Sequence, residues 1–359
     1  MKRNFLAKSL FMAFAGVLYV GSLRAEDDQF IQTNLVSDLP GATVTDAALK
    51  NPWGISHSFI SPFWSSNQGS NNATLYAVTN KTTVTKVNIN PPTGNVSIPT
   101  TATGPQGPTG QVNSTSTTSF PVNNGGDGKP AHFIFANLNG TISAWDTGQN
   151  AYIQVTTPGA IYTGLAINGA QTRLYAAKAG GIDVFDSSFA PVNLGPGAFL
   201  NPELRPGLAP FNVRNISGDI FVAYAPVGRP NQIHAKSGAG AVAIFDEDGN
   251  FIKQILNGDH LAAPWGMALA PASFGKLGNH LLVGNFSFDH SEINGFELPN
   301  GNFHGKIQID TGVNSPGGLW SLDFGIGGNN GDPDTLYFTD GINGEANGLF
   351  GAISPRGAP

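Results

Sequence analysis

The chain has 359 residues, of which 47 are glycine, 25 proline and none cysteine, and only 12% are charged. Glycine costs ~1 kcal/mol at a helix position relative to alanine, so a helical bundle is excluded, as are collagen for want of a Gly-X-Y period and disorder by a hydrophobic content of 40%. A net charge of −6 with no basic block excludes nucleic-acid partners, and the absence of cysteine excludes disulfides, thiol catalysis and cysteine-zinc sites.

Residues 1–25 stand apart. Lys2, Arg3 and Lys8 precede an apolar run over 9–20, which is followed by small residues and Ala25. This is the pattern of a secretory signal peptide, and the run falls short of the ~20 residues that span a bilayer. Cleavage is expected after Ala25, with Ser22 as the alternative. The mature chain then carries 14 bases against 24 acids, a net charge of −10. A single domain over 26–359 is expected to be secreted or periplasmic, with no membrane span after cleavage.

The first strand expected beyond that segment is Phe30–Ser37. A repeat then begins. Pro52-Trp53-Gly54-Ile55 returns as Pro264-Trp265-Gly266-Met267 and Pro316-Gly317-Gly318-Leu319, with looser copies at Pro108-Thr109-Gly110, Tyr162-Thr163-Gly164-Leu165 and Pro210-Phe211-Asn212-Val213. The starts are 48 to 56 residues apart. In step with them run five-residue β-type stretches that end at Thr79, Asn137, Lys178, Tyr224, Asn285 and Asp340. A third strand follows each, at Val84–Val87, Thr141–Trp145, Ile182–Phe185, Ala241–Phe245, Ile293–Leu298 and Leu349–Ile353. A fourth opens at turn glycines such as Gly94, Gly249 and Gly301. Six repeats of four strands make an all-β, six-bladed β-propeller; a β-sandwich would have no such period. The last repeat lacks a fourth strand, so Phe30–Ser37 is expected to complete that blade and close the ring.

Pro-x-Gly-apolar followed by Leu-Tyr-x-x-Asn/Asp resembles the NHL-repeat propellers. With Ser37-Asp38-Leu39-Pro40-Gly41 and Pro130-Ala131-His132-Phe133 it also resembles a bacterial secreted propeller family of unassigned function, over residues 30–354. Trp145-Asp146 is one of three aromatic-Asp strand ends, with Phe185-Asp186 and Phe245-Asp246, and the repeat is longer than that of WD40.

The usual strand directions of a propeller bring the loops before strand one and between strands two and three to one face. That face would hold Trp53 and Trp265, the strand ends Lys178 and Tyr224, and the long-loop residues Arg229, His234, Asp289 and Glu345. These are the candidate ligand-binding residues, since long loops on a rigid scaffold carry sites. Six-bladed calcium propellers of the gluconolactonase type hold their ion at the channel mouth with Glu, two Asn and Asp. By that resemblance Asn137, Asn285 and Asp340 are candidate ligands for Ca2+, although Asn51-Pro52-Trp53-Gly54 offers no Glu. The acidic stretches 246–250 and 329–334 read as turns. His132 and His280 precede second strands at matching positions and read as structural. No Gly-x-Ser-x-Gly or His-Glu-x-x-His occurs. No catalytic residues are identified. The expected function is an extracytoplasmic module that binds a small molecule, carbohydrate or peptide at one channel face; the alternative is a calcium-dependent hydrolase of lactonase type.

Overall fold

The Pro-x-Gly stretches become the innermost strands of a ring of six sheets, each packed on the inner strand of the next blade. This computed structural model describes residues 29–89, 94–258, 260–298 and 300–357. The expected signal segment and its two cleavage points lie outside those residues.

Blades 2, 4 and 5 have four antiparallel strands each: Pro108–Asn113, Phe133–Asn137, Thr141–Trp145 and Tyr152–Thr156; Leu208–Ile216, Asp219–Pro226, Ala241–Phe245 and Phe251–Asn257; Pro264–Leu269, His280–Asn285, Glu292–Glu297 and Phe303–Gln308. Blade 3 has three, Gly164–Ile167, Arg173–Lys178 and Gly181–Asp186. Blade 6 is Leu319–Phe324, Leu336–Asp340 and Leu349–Pro355. Its outer strand is Phe30–Ser37, antiparallel to Leu349–Pro355. The ring is therefore closed by the N-terminal strand, and Asp38 pins the join: it accepts from Lys50 Nζ (2.9 Å), Asn347 Nδ2 (2.7 Å) and the Gly348 N–H (2.9 Å).

Blade 1 departs from the expectation. Its second strand is Phe63–Asn67, and Asn72–Thr79 and Thr83–Val87 are third and fourth, with Val96–Ser97 alongside the third. Thr79 therefore lies at the other end of the blade, and Asn67 takes the place assigned to it. Blade 6 departs too. Leu319 faces Asp340 as Pro52 faces Asn67, so the repeat there is Leu319-Trp320-Ser321-Leu322, three residues later than the Pro316 copy.

The repeat has a steric cause. Inner strands carry a bulge at the motif, as between Pro52 and Ile55, and the motif glycine then meets the neighbouring blade. A Cβ on Gly54 would lie 2.6 Å from the Thr109 carbonyl oxygen, one on Gly110 2.3 Å from the Leu165 nitrogen, and one on Gly266 2.4 Å from the Trp320 oxygen. Only glycine permits that approach. Among the described residues six apolar clusters lie between blades, such as Trp64 and Leu75 against Phe133 and Phe135, or Phe63 and Tyr76 against Tyr337 and Phe350. A seventh, of tryptophans and phenylalanines, plugs the channel at one mouth. Among the described residues no helix is long and apolar enough to cross a membrane.

Candidate functional site

The second residue of the motif points over the channel. In blades 1, 4, 5 and 6 it is Trp53, Phe211, Trp265 and Trp320, all buried. Trp53 stacks on Trp320 at 3.6 Å and 18°, and Trp265 meets both edge-on at 6.1 and 5.6 Å. Phe286, just past the second strand of blade 5, stacks on the other side of Trp320 at 4.2 Å. Such pairs contribute ~0.5–1.5 kcal/mol each beyond area burial, so the floor of the mouth is rigid.

Polar groups from four loops close over this floor. In blade 4 the loop after the second strand makes one helical turn, Arg229–Ile233, with Pro230 at its start, where proline's missing N–H costs nothing. The turn lays the Arg229 guanidinium over Phe286, 4.2 Å from the ring centre, and 5.7 Å from that of Trp320. Arg229 Nη2 is paired with the Glu345 carboxylate. Glu345 Oε1 accepts from Asn51 Nδ2 at 3.0 Å, and Asn51 Oδ1 accepts from Trp320 Nε1 at 3.0 Å. Tryptophan, amide, carboxylate and guanidinium thus form a closed loop of contacts. Asn51 Nδ2 also donates to Gln68 Oε1 at 2.8 Å.

The backbone is strained to make this loop. Glu345 has φ of 71° and Asn51 of 43°. The left-handed region suits asparagine moderately but costs a glutamate roughly 1–2 kcal/mol. Gly341 makes room: a Cβ there would lie 2.4 Å from Asn51 Oδ1 and 3.2 Å from Trp320 Nε1. Burial pulls the Arg229 pKa down to about 10, so the group is charged at neutral pH but poorly solvated. Two buried N–H groups, Trp53 Nε1 and Arg229 Nη1, have no acceptor among the described residues. Both residues line a cavity of about 490 Å³ over the mouth, with Asn51, Gln68, Phe211, Gln232 and Glu345. A groove of about 770 Å³ between blades 1 and 2, beside the exposed Phe59 and Ile60, is larger but brings no comparable set of charged groups together.

Of the residues singled out in the sequence, Trp53, Arg229 and Glu345 meet in this cavity, and Trp265 supports it from beneath. The others are elsewhere. Lys178 pairs with Asp183 of its own blade at 2.6 Å. Tyr224 is buried in the core between blades 3 and 4, and burial raises its pKa. His234 and Asp289 form a separate exposed group 3.8 Å apart, where Lys236, hydrogen-bonded to Asp289, holds that carboxyl below its usual range.

Asn137, Asn285 and Asp340 do end equivalent strands, all fully buried, but each is turned to its own blade. Asn137 Nδ2 donates to the Thr141 carbonyl and Oγ1 at 3.2 and 3.1 Å. Asn285 accepts from the Ala262 N–H and donates to the His260 carbonyl, at 3.0 and 2.9 Å. Asp340 Oδ1 accepts from the Gly318 N–H at 2.8 Å. These bonds tie second strands to adjoining segments, and they leave Asn137 Oδ1 and Asp340 Oδ2 without a partner among the described residues. Residues the sequence reading passed over are Asn51, Gln68, Phe286 and Trp320. Trp320 had a signal, since Trp-x-Leu there parallels Trp-x-Ile at 53–55.

No protein-family model matches the chain. Two uncharacterized proteins of Acanthamoeba polyphaga mimivirus are similar to it: one is 27% identical over 243 residues, 64% of this chain and 44% of that protein, the other 26% identical over 326 residues, 87% and 76%. The chain thus spans less than half the length of the first. Among solved structures it resembles virginiamycin B lyase from Staphylococcus aureus, with TM-score 0.51 and 12% identity over 91% of this chain and 99% of that one. A structural genomics protein of unknown function from Bacteroides thetaiotaomicron gives 0.52 and 10%, covering 91% and 77%. The chain is a six-bladed β-propeller with structural neighbours of the virginiamycin B lyase type, and the relatives found by sequence are viral. Identities this low carry the fold alone.

Proposed function

We propose that the chain is an exported, NHL-like propeller that binds a small molecule at the plugged channel mouth, and that this ligand has a carboxylate or carbonyl attached to a flat apolar body. The observation that carries the reading is the pair of buried N–H donors, Trp53 Nε1 and Arg229 Nη1, that have no acceptor among the described residues and sit on residues that line one cavity. A buried donor without a partner costs ~1–3 kcal/mol, and an incoming acceptor recovers that cost. The indole and phenyl surfaces of Trp53 and Phe211 suit the apolar body. Export rests on the charged-apolar-small pattern of residues 1–25. Calcium-assisted hydrolysis has weaker support: of the Asn137, Asn285 and Asp340 side-chain oxygens, Asn137 Oδ1 and Asp340 Oδ2 are without a partner among the described residues, against the six to eight oxygens that Ca2+ takes.

The test is a titration of the purified chain with a panel of aryl carboxylates and their amides, followed by tryptophan fluorescence. Binding by at least one member, weakened ~10-fold or more in Arg229→Gln, supports the reading. No binding by any member, or equal binding by Arg229→Gln, overturns it.

A further inference from the structure

At the end of blade 5 away from the aromatic mouth, three side chains from three neighbouring strands converge. His280 begins the second strand and stands opposite Glu297, which ends the third. His304 lies on the outer strand at a bulge: Gly305 faces Gly295 and Phe303 faces Phe296, which leaves His304 as the extra residue. Bulges re-aim side chains in this way. One ligand-type atom from each of the three lies within 4.8 Å of the other two.

We propose that His280, Glu297 and His304 bind a divalent ion of the zinc type. Two imidazoles and a carboxylate are a donor set suited to Zn2+ and its neighbours, and three protein ligands leave a fourth position for water or an anion. The supporting contacts have the form that orients metal ligands. His280 Nδ1 lies 2.8 Å from the Gly278 carbonyl oxygen. Donation to that oxygen places the proton on Nδ1 and leaves the Nε2 lone pair free. Glu297 Oε2 accepts from Asn300 Nδ2 at 3.2 Å, so Oε1 is the oxygen left to bind, 3.8 Å from His304 Nδ1. The two imidazole rings lie 4.2 Å apart at 33°. Ligands at ~2.1 Å from one tetrahedral ion are ~3.4 Å apart. The exposed His304 and half-buried Glu297 need to close by only about an ångström, within side-chain freedom. The bound ion would staple the outer strand of the blade to the two inside it.

The experiment uses the full chain stripped of metal by chelation, titrated with Zn2+ by calorimetry and with Co2+ by visible absorption. One equivalent of zinc, a cobalt band of low coordination number, and a melting temperature raised by zinc are expected. His304→Ala and His280→Ala each weaken binding by ~10-fold or more and abolish the thermal shift, while His132→Ala, on blade 2, binds as wild type. Because His304 is exposed, His304→Ala retains the fold, checked by an unchanged melt in zinc-free buffer. Absence of zinc binding by the wild type at submillimolar zinc, or undiminished binding by His304→Ala, overturns the proposal.

Discussion

Asp340 is a carboxyl placed where a carboxylate is unwelcome, and substituting it with asparagine isolates the cost. The side chain is fully buried at the end of the second strand of blade 6. Its Oδ1 accepts one N–H, from Gly318, while Oδ2 has no partner among the described residues. Burial pushes its pKa up from 3.8 to about 7, against the smaller opposing pull of the Gly318 N–H. The folded chain therefore holds the proton more tightly than the unfolded chain. The stabilisation is complete below the unfolded pKa near 4 and is lost as pH rises through about 7, above which folding buries a charge. At ~1.36 kcal/mol per pH unit the interval bounds the effect at about 4 kcal/mol. Relaxation around the charge should reduce this to roughly 1–3 kcal/mol. Asp340→Asn keeps an acceptor for Gly318 and removes the charge. The expected result is a variant more stable than wild type at about pH 8, with the advantage shrinking as pH falls and vanishing only towards about pH 4. Urea denaturation followed by tryptophan fluorescence at a series of pH values measures this. Groups common to both proteins cancel in the difference. A difference independent of pH, or a wild type that gains on the variant as pH rises, would refute the argument.

Three further outcomes are expected. Arg229→Leu leaves Glu345 unpaired beside Asn51 and should cost about 1–2 kcal/mol in urea denaturation, below the buried-pair range because the guanidinium is partly exposed; Arg229→Lys should recover less than half, since an ammonium cannot lie flat on Phe286. Gly110→Ala puts a methyl group 2.3 Å from the Leu165 nitrogen, and thermal denaturation should reveal a loss of at least ~1–3 kcal/mol from forcing blades 2 and 3 apart. Asp38→Ala removes the acceptor for Lys50, Asn347 and Gly348; a loss of ~1–3 kcal/mol should appear with faster amide exchange along Leu349–Pro355, and unchanged exchange there would count against Asp38 as the pin of the ring.

The architecture was legible because ring closure repeats one steric demand. Each inner strand must pass close to the next, and glycine is the residue that allows it, so Gly54, Gly110 and Gly266 recur at blade spacing. Blade 1 was misread one strand along because Leu75-Tyr-Ala-Val-Thr79 looks more like a strand than Phe63-Trp-Ser-Ser-Asn67. Propensity describes how a residue suits a pleated surface; it does not say which strand pairs with Pro52. Only the register does, and it sets Asn67 opposite that proline.

The site was less legible for a different reason. Its members come from positions 51, 53, 229, 320 and 345, and what unites them is the ring, which carries loops far apart in sequence to one mouth. Trp320 was hidden by Pro316-Gly317-Gly318, which imitates the motif three residues early and instead forms the turn leading into the strand. The lapse has a physical content. In blade 6 the motif position corresponding to Gly54 is Ser321, whose N–H donates to Thr339 Oγ1 at 3.0 Å, and the same hydroxyl donates to the Trp53 carbonyl of blade 1 at 2.7 Å. Between blades 6 and 1, a threonine bridge replaces the bare backbone approach used between blades 1 and 2. That bridge fixes Trp53 against Trp320, and with them the floor on which Arg229 rests.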